Sequence, residues 1–168
     1  MSGNSIPLYN LAGLSSSELD KLLADIRSTD YIQEVTSGEV EPQASGLWDQ
    51  VLPVPTDLHP SSLKGASSAQ EQEEIAKHAL SVLDSDSETK GKYVVNGIVV
   101  ADERTKSGDG SLLVIELVGR GADKTVRDTM RCAPRSLIEV CSNLAVANMG
   151  LADYKSMAGN PDVFDAGQ

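Results

Sequence analysis

Acidic residues are concentrated in the first half of this chain, and that asymmetry constrains the fold more than any other feature. Residues 1–90 carry 15 Asp and Glu against 5 Lys and Arg, whereas residues 91–168 carry 10 acids against 9 bases. The acidic half is also rich in Ser, Pro and Gln, while the dense apolar runs fall in the near-neutral half. A segment of high net charge and low hydrophobicity buries too little apolar surface to fold alone. The sequence therefore predicts an extended acidic interaction arm over residues 1–91 and a small folded domain over residues 92–168.

A helix is predicted near residues 16–28 of the arm, because both its start signal and its apolar stripe are present. Ser15 and Glu18 have the spacing of a capping box, in which the serine accepts from the N–H of Glu18 and the glutamate reaches back. The stripe at positions i, i+3, i+4 and i+7 consists of Leu19, Leu22, Leu23 and Ile26. A helix of this length is marginal alone in water, so the stripe needs a surface that covers it.

Residues 19–26, Leu-Asp-Lys-Leu-Leu-Ala-Asp-Ile, resemble the LD motif of the paxillin family, with Ile26 where the family has its last leucine. In that family such a helix lies in a hydrophobic groove of a helical partner. The resemblance implies that the stripe is a partner-binding site and that the protein partner has a groove. The alternative is that the helix packs on the chain's own domain, and the residues leave both interpretations open.

Two other segments of the arm stand out from its polar background. Leu47 and Trp48 form an apolar cluster that predicts either a second partner-binding anchor or a cover for the small domain. Ser68 and Glu71 form a second capping box, which begins a helix predicted near residues 69–84.

The fold class predicted for the domain is α+β, with a small antiparallel hairpin or meander followed by packed helices. Residues 93–100 carry Asn-Gly between β-branched residues, which is typical of a hairpin turn, although a single strand kinked at Gly97 is an alternative. Residues 112–118 have the composition of a strand. The helices predicted after it cover residues 123–132, 134–149 and 151–157.

The predicted helix over residues 134–149 is apolar around most of its circumference, so it belongs in a core or in an interface between chains. Its candidate interface residues are Leu137, Ile138, Cys141 and Leu144. Because residues 92–168 alone make a small core, we expect a homo-oligomer. Cys132 and Cys141 lie in apolar sequence and are predicted to be buried free thiols.

No catalytic constellation is recognisable in the sequence, which predicts neither an enzyme nor a cofactor or metal site. The one feature typical of an enzyme is Gly119-Arg120-Gly121 after a strand, and it lacks the third glycine of the dinucleotide-binding fingerprint. Arg120 and Lys124 remain as a candidate anion-binding pair at the start of the next predicted helix.

Together these features predict a non-catalytic protein-binding adaptor or assembly subunit. The organisation is similar to that of phosphoproteins of negative-strand RNA viruses, which join acidic arms to small C-terminal domains. Two alternatives stay open: a virion or phage structural subunit with an ordered arm, and an acidic inhibitor that mimics nucleic acid.

Charge and hydropathy also limit the partners and the location that we expect. The net charge of −11 argues against direct binding to nucleic acid, because phosphate contacts need a basic face. No apolar run approaches the length of a membrane span, and no signal peptide is recognisable. We therefore expect the chain in the cytoplasm or within a virus particle, without direct contact to a membrane.

Overall fold

A five-stranded mixed sheet forms the centre of the computed structural model, which describes residues 4–58, 62–63 and 65–167. The strands are Ile6–Asn10 (β1), Val51–Pro53 (β2), Gly97–Ala101 (β3), Leu112–Val118 (β4) and Thr125–Cys132 (β5). Their order across the sheet is β2-β1-β3-β4-β5. β1 runs parallel to β2 and β3, whereas β3, β4 and β5 form an antiparallel meander. The fold class is α+β, as predicted.

Helices cover both faces of this sheet. They are Ser16–Ile26 (α1), Tyr31–Thr36 (α2), Ala69–His78 (α3), Glu103–Ser107 (α4), Leu137–Ala145 (α5) and Leu151–Ala158 (α6). The first core lies between one face and α1, α2, α5 and α6. The second core lies between the other face and α3, together with the π-helical segment Ala79–Leu83 that continues α3. The capping boxes predicted for α1 and α3 are both present.

Alternate residues of the central strands enter the two cores. In β3, Val99 and Ala101 belong to the first core, whereas Ile98 and Val100 belong to the second. Because both faces of the sheet are covered, the strand reads as an uninterrupted apolar run.

The structure corrects the division of the chain into an arm and a domain. β1 lies between β2 and β3, so part of the expected arm forms the middle of the sheet. Ile6 and Leu8 of this strand are fully buried. The strand was not predicted because the composition was averaged over the whole acidic half. In that average, the few apolar residues of β1 are outnumbered by the exposed carboxylates of the neighbouring helices.

The helix predicted over residues 123–132 is wrong, because most of this segment forms β5. A bulge at Arg127 explains the error: Glu116 pairs with Asp128 while Leu117 pairs with Val126, which leaves Arg127 as the extra residue. Val126 packs on the second core and Met130 on the first. Their spacing of four residues therefore resembled one face of a helix, although the side chains lie on opposite faces of the sheet.

The Asn-Gly pair at residues 96–97 does not form the predicted hairpin turn. The Asn96 amide donates to the carbonyl oxygens of Leu144 and Ala145 at 3.3 and 3.1 Å, at the C-terminal end of α5. Gly97 begins β3, and a Cβ on it would lie 3.1 Å from the Leu144 side chain. Both residues thus contact α5. The alternative of a single strand kinked at Gly97 is correct in having one strand, but this strand begins at Gly97 and does not continue through it.

A tyrosine–histidine pair connects β1 to α3, with the tyrosine buried and the histidine partly buried. The Tyr9 hydroxyl lies 2.8 Å from Nδ1 of His78. Burial raises the pKa of Tyr9, so the phenol keeps its proton and donates to a neutral imidazole. Burial also lowers the pKa of His78 below its ordinary value of 6.5, and this outweighs the opposing hydrogen bond to the Leu58 backbone.

We expect this pair to make the fold less stable in mild acid. The unfolded chain binds a proton at His78 more readily than the folded chain does, so the free energy of unfolding should fall as pH drops below about 6.5. Chemical denaturation at several pH values measures how the free energy of unfolding depends on pH. Subtracting the same curve for His78→Gln from that of the unmodified protein removes the contribution of the carboxylates. Identical slopes for the two proteins above pH 5 would contradict this account.

Candidate functional site

The predicted partner-binding stripe on α1 is covered by the chain's own core. Leu22 is 8% exposed and Ile26 is 1% exposed, and both belong to the first core. Leu19 and Leu23 are partly buried and pack against the same core. The stripe is therefore not open to a partner groove, and the alternative in which the helix packs on its own domain describes the structure.

The second predicted anchor is also used internally. Leu47 and Trp48 are partly buried and pack against the first core. The guanidinium carbon of Arg27 lies 5.0 Å from the centroid of the Trp48 ring. Nε of Arg27 donates to the Trp48 carbonyl oxygen at 3.0 Å, and a terminal nitrogen pairs with Asp49 at 3.1 Å. These contacts attach the loop to the end of α1.

The candidate oligomer interface on α5 lies inside the molecule. Leu137, Ile138 and Cys141 are fully buried and Leu144 is 4% exposed, so these side chains cannot form an interface between chains. Cys132 and Cys141 are buried free thiols, as predicted. Burial raises the pKa of both thiols, which keeps them protonated and unreactive at neutral pH.

The candidate anion-binding pair is not assembled. The Lys124 ammonium donates to the Asn96 side chain at 2.8 Å and to the Val95 carbonyl oxygen at 3.2 Å. Burial lowers the pKa of Lys124, against the weaker effect of Asp84. Arg120 is exposed, but the lysine ammonium that would complete an anion site is engaged by the protein itself.

No group of three or more His, Cys, Asp or Glu side chains is arranged to hold a metal ion within residues 4–58, 62–63 and 65–167. None of the helices in the same ranges is both long and apolar enough to cross a bilayer.

An open groove lies between α2, the 3₁₀ turn Gly46–Asp49 and the C-terminal end of α5. Its cavity is about 380 Å³. The apolar part of its lining comprises Tyr31, Val35, Leu47, Ala145 and Val146. The polar part comprises Asn4, Ser45, Gly46, Gln50, Ser142 and Asn143. Such a mixed lining can hold apolar side chains and also offer hydrogen bonds.

Two of the exposed large apolar side chains of the described residues line this groove. Within the described residues, the large apolar side chains that are exposed are Val35, Val40, Val118, Val146 and Met157. Val35 is 55% exposed and Val146 is 68% exposed, and the two line the same groove. Neither side chain contributes to a core, so the fold itself gives no reason for them to be apolar.

The wall that α5 contributes is held rigidly. The Asn143 amide donates to the Tyr154 hydroxyl at 2.7 Å and to the Glu139 carbonyl oxygen at 3.0 Å. Asn148 donates to the Asn143 side-chain oxygen at 2.8 Å. On the opposite wall, the Tyr31 hydroxyl accepts from Ser142 at 3.3 Å, which joins α2 to α5. A wall fixed before binding loses less conformational entropy when a ligand arrives.

Carboxylates flank Val35, one of the residues that line the groove. Glu34, Glu39 and Glu41 are exposed in the segment that carries Val35 and Val40. The pKa of Glu139, on α5, is raised chiefly by burial and further by the negative charge of Glu34. Glu34 and Glu139 therefore lie close enough to interact. They line a neighbouring cavity that also includes Arg135 and that shares Tyr31 with the groove.

The sequence analysis missed this groove because its walls come from three distant segments. The only local signal is the pair of valines, Val35 and Val40, in a polar and acidic stretch that has no helical or strand period over a useful length.

Comparison with known proteins gives one match. Residues 58–166 match the family described as "Domain of unknown function (DUF6924)". The curated proteins and the solved structures give no match. The resemblances to the paxillin LD motif and to viral phosphoproteins therefore gain no support. Since the match spans well over half of its length, the chain belongs to the DUF6924 family.

Proposed function

We propose that this protein is a non-catalytic protein-binding adaptor or assembly subunit, and that its groove holds a basic, amphipathic segment of the partner. The observation that carries the proposal is the exposure of Val35 and Val146 on the two walls of one groove. Burial of such side chains by a partner would contribute roughly 25 cal/mol for each Å² removed from water.

The charge of the surroundings selects the partner's chemistry. Glu34, Glu39 and Glu41 lie in the segment that forms one wall, and the whole chain carries a net charge of −11. A partner segment with Lys or Arg beside its apolar residues would be attracted by this field, and an acidic segment would be repelled. In the LD-motif hypothesis this chain supplies the helix and the partner supplies the groove. In the present proposal this chain supplies the groove and the partner supplies the segment that binds in it.

The distribution of carboxylates favours this proposal over nucleic-acid mimicry. The acidic residues of α1 lie on the side of the first core, and those of α3 lie on the side of the second. A mimic of a nucleic-acid backbone needs its negative charges along one continuous face. A viral or virion role stays a prediction.

A synthetic helical peptide with leucines on one face and lysines on the other tests the proposal. The double variant Val35→Ser with Val146→Ser should weaken its binding at least about tenfold, because it removes the exposed apolar walls. Affinity measured by isothermal titration calorimetry should also fall as salt is raised. Met157→Ser is the matched control, because Met157 is also 68% exposed but does not line the groove.

One altered peptide and one further protein variant test the electrostatic part of the proposal separately from the apolar part. A peptide with each lysine replaced by glutamate should not bind, and Glu34→Gln with Glu39→Gln should reduce both affinity and its dependence on salt. Equal binding of the lysine and glutamate peptides, or equal binding by the groove variant and the Met157 control, would overturn the proposal.

A further inference from the structure

A second cleft also lies near the C-terminal end of α5, between the β4–β5 pair and the start of α6. Glu116, Arg127 and Gly150 line both of its two adjoining cavities, each of about 210 Å³. Leu144 and Met149 add apolar surface to the first cavity. The cleft shares no lining residue with the proposed protein-binding groove, so the two surfaces can be tested separately.

Glu116 brings a buried carboxylate to the floor of this cleft. Its side chain is only 8% exposed. Oε1 accepts from the N–H of Leu151 at 2.6 Å, at the first residue of α6. Oε2 accepts no hydrogen bond from a described residue, and its cationic neighbour is Nε of Arg127 at 3.7 Å. One oxygen of a nearly buried carboxylate therefore faces the cleft with its hydrogen-bonding capacity unused.

Arg127 is aimed at this carboxylate by the bulge in β5. It is the extra residue opposite Glu116 and Leu117, and its side chain remains 63% exposed. At 3.7 Å its Nε is too far from Oε2 for a hydrogen bond, and no other contact ties its guanidinium to a carboxylate of a described residue. The planar fork of N–H donors is thus available, and such a fork matches the two oxygens of a carboxylate.

The backbone around the pair leaves room for a close approach. A Cβ on Gly150 would lie 3.0 Å from Oε1 and 3.2 Å from Oε2 of Glu116, so a larger residue where α6 begins would displace the carboxylate. Ala147, which also lines the cleft, has a left-handed backbone with φ of 55°, an unfavourable conformation for a residue with a side chain. Bulges and strained residues of this kind occur often beside ligand sites.

These groups together select one class of ligand. Asp128 and Asp153 also line the second cavity, but Asp128 pairs with Lys155 and Asp153 accepts from the N–H of Gly150. The pair that is left to recognise a ligand is Glu116 and Arg127, of which Glu116 would repel a simple anion and Arg127 a simple cation. An α-amino acid carries a carboxylate and an ammonium on one carbon, so it can reach both protein groups at once. The cavity is smaller than the roughly 300–1,000 Å³ of sites for drug-sized molecules, which fits a ligand of this size.

We infer that this cleft binds a free α-amino acid with an apolar side chain. The ligand carboxylate accepts from the Arg127 guanidinium, the ammonium donates to Oε2 of Glu116, and the side chain packs against Leu144 and Met149. This site is independent of the protein-binding groove.

Titration of the ¹⁵N-labelled full chain with L-leucine, followed by amide NMR shifts, tests the inference. We expect saturable shifts at Gly119, Gly150 and Leu151, around the cleft. Leucinamide lacks the carboxylate and 4-methylpentanoate lacks the ammonium, so each should bind at least about tenfold more weakly. Absence of a saturable shift with L-leucine, or equal binding of the three compounds, would overturn the inference.

Substitutions at the pair complete the experiment. Arg127→Gln should weaken L-leucine binding at least about tenfold without a change in melting temperature, because Arg127 is exposed and contributes little to packing. Arg120→Gln, which removes an exposed arginine outside the cleft, should bind like the unmodified protein. Glu116→Gln should also weaken L-leucine binding. This substitution also removes the charge of a side chain that accepts from the first residue of α6, so Glu116→Gln could unfold. In that case the binding of L-leucine by Arg127→Gln tests the inference. Unchanged L-leucine binding by folded Arg127→Gln would overturn the inference, because the ligand carboxylate would then have no contact with Arg127.

Discussion

A fragment that begins at Leu58, where the family match starts, should fail to fold on its own. It would keep β3, β4 and β5 but lose β1 and β2, and with β1 the parallel neighbour of β3. The first core would lose Ile6, Leu8, Leu22, Ile26, Ile32 and Val51. Each such side chain contributes roughly 1.5–3 kcal/mol when it is buried, so the lost contribution is roughly 9–18 kcal/mol.

That loss is as large as the whole stability of an ordinary domain, which is about 5–15 kcal/mol. The fragment must still order its own backbone, and it exposes the apolar edge and face of β3 while doing so. Thermal unfolding followed by circular dichroism should therefore show no cooperative transition. The amide proton chemical shifts of the fragment should show little dispersion. Addition of a peptide covering residues 4–57 should restore both signals, since it supplies the missing strands and helices.

The alternative is that residues 58–168 form an autonomous unit and the preceding segment only decorates it. A cooperative melting transition of the isolated fragment, close to that of the full chain, would establish that alternative. It would also restore a division into an arm and a domain, with the boundary near residue 58 and not at the predicted residue 91.

Local signals in the sequence were sufficient for α1, α3 and β4. The capping boxes at Ser15 and Ser68 indicate where a helix begins, because the serine and the glutamate that form each box are only three residues apart. The run over residues 112–118 is apolar and β-branched enough to specify a strand without knowledge of its neighbours.

Long-range pairing was not readable in the same way. Ile6 pairs with Val51 and Leu8 with Val99. The sequence around these residues does not indicate which distant strand each one pairs with. β1 has five residues and β2 has three, too short for a clear period. The groove has the same origin, because Val35 and Val146 meet only after the sheet has brought α2 and α5 to one face. Likewise, Arg127 reaches Glu116 only through a bulge, which removes the alternation that would have marked β5 as a strand.

Loss of the stripe on α1 should reduce the stability of the whole molecule and not its affinity for a partner. Ile26 is 1% exposed and Leu22 is 8% exposed, and both lie in the first core beside residues of the central strands. Truncation of a buried Ile or Leu to Ala typically costs about 2–5 kcal/mol, from lost transfer free energy and from the cavity that remains. In a domain of this size each kcal/mol lowers the melting temperature by about 2–4 °C, so either substitution should lower it by at least about 4 °C.

Lys21→Ala is the matched control, because Lys21 lies on the exposed side of the same helix and alanine favours helix formation. Differential scanning calorimetry of Ile26→Ala, Leu22→Ala and Lys21→Ala makes the comparison, with peptide binding at the groove measured in parallel. The two core variants should melt early yet bind the lysine peptide with unchanged affinity below their transition. If they melted like the control but bound differently, the stripe would be serving a partner and the packing of α1 described above would be wrong. The same measurements therefore decide whether α1 packs on its own domain or binds a partner. Truncation of a buried leucine lowers the melting temperature, whereas truncation of a partner-binding leucine lowers the affinity for the partner.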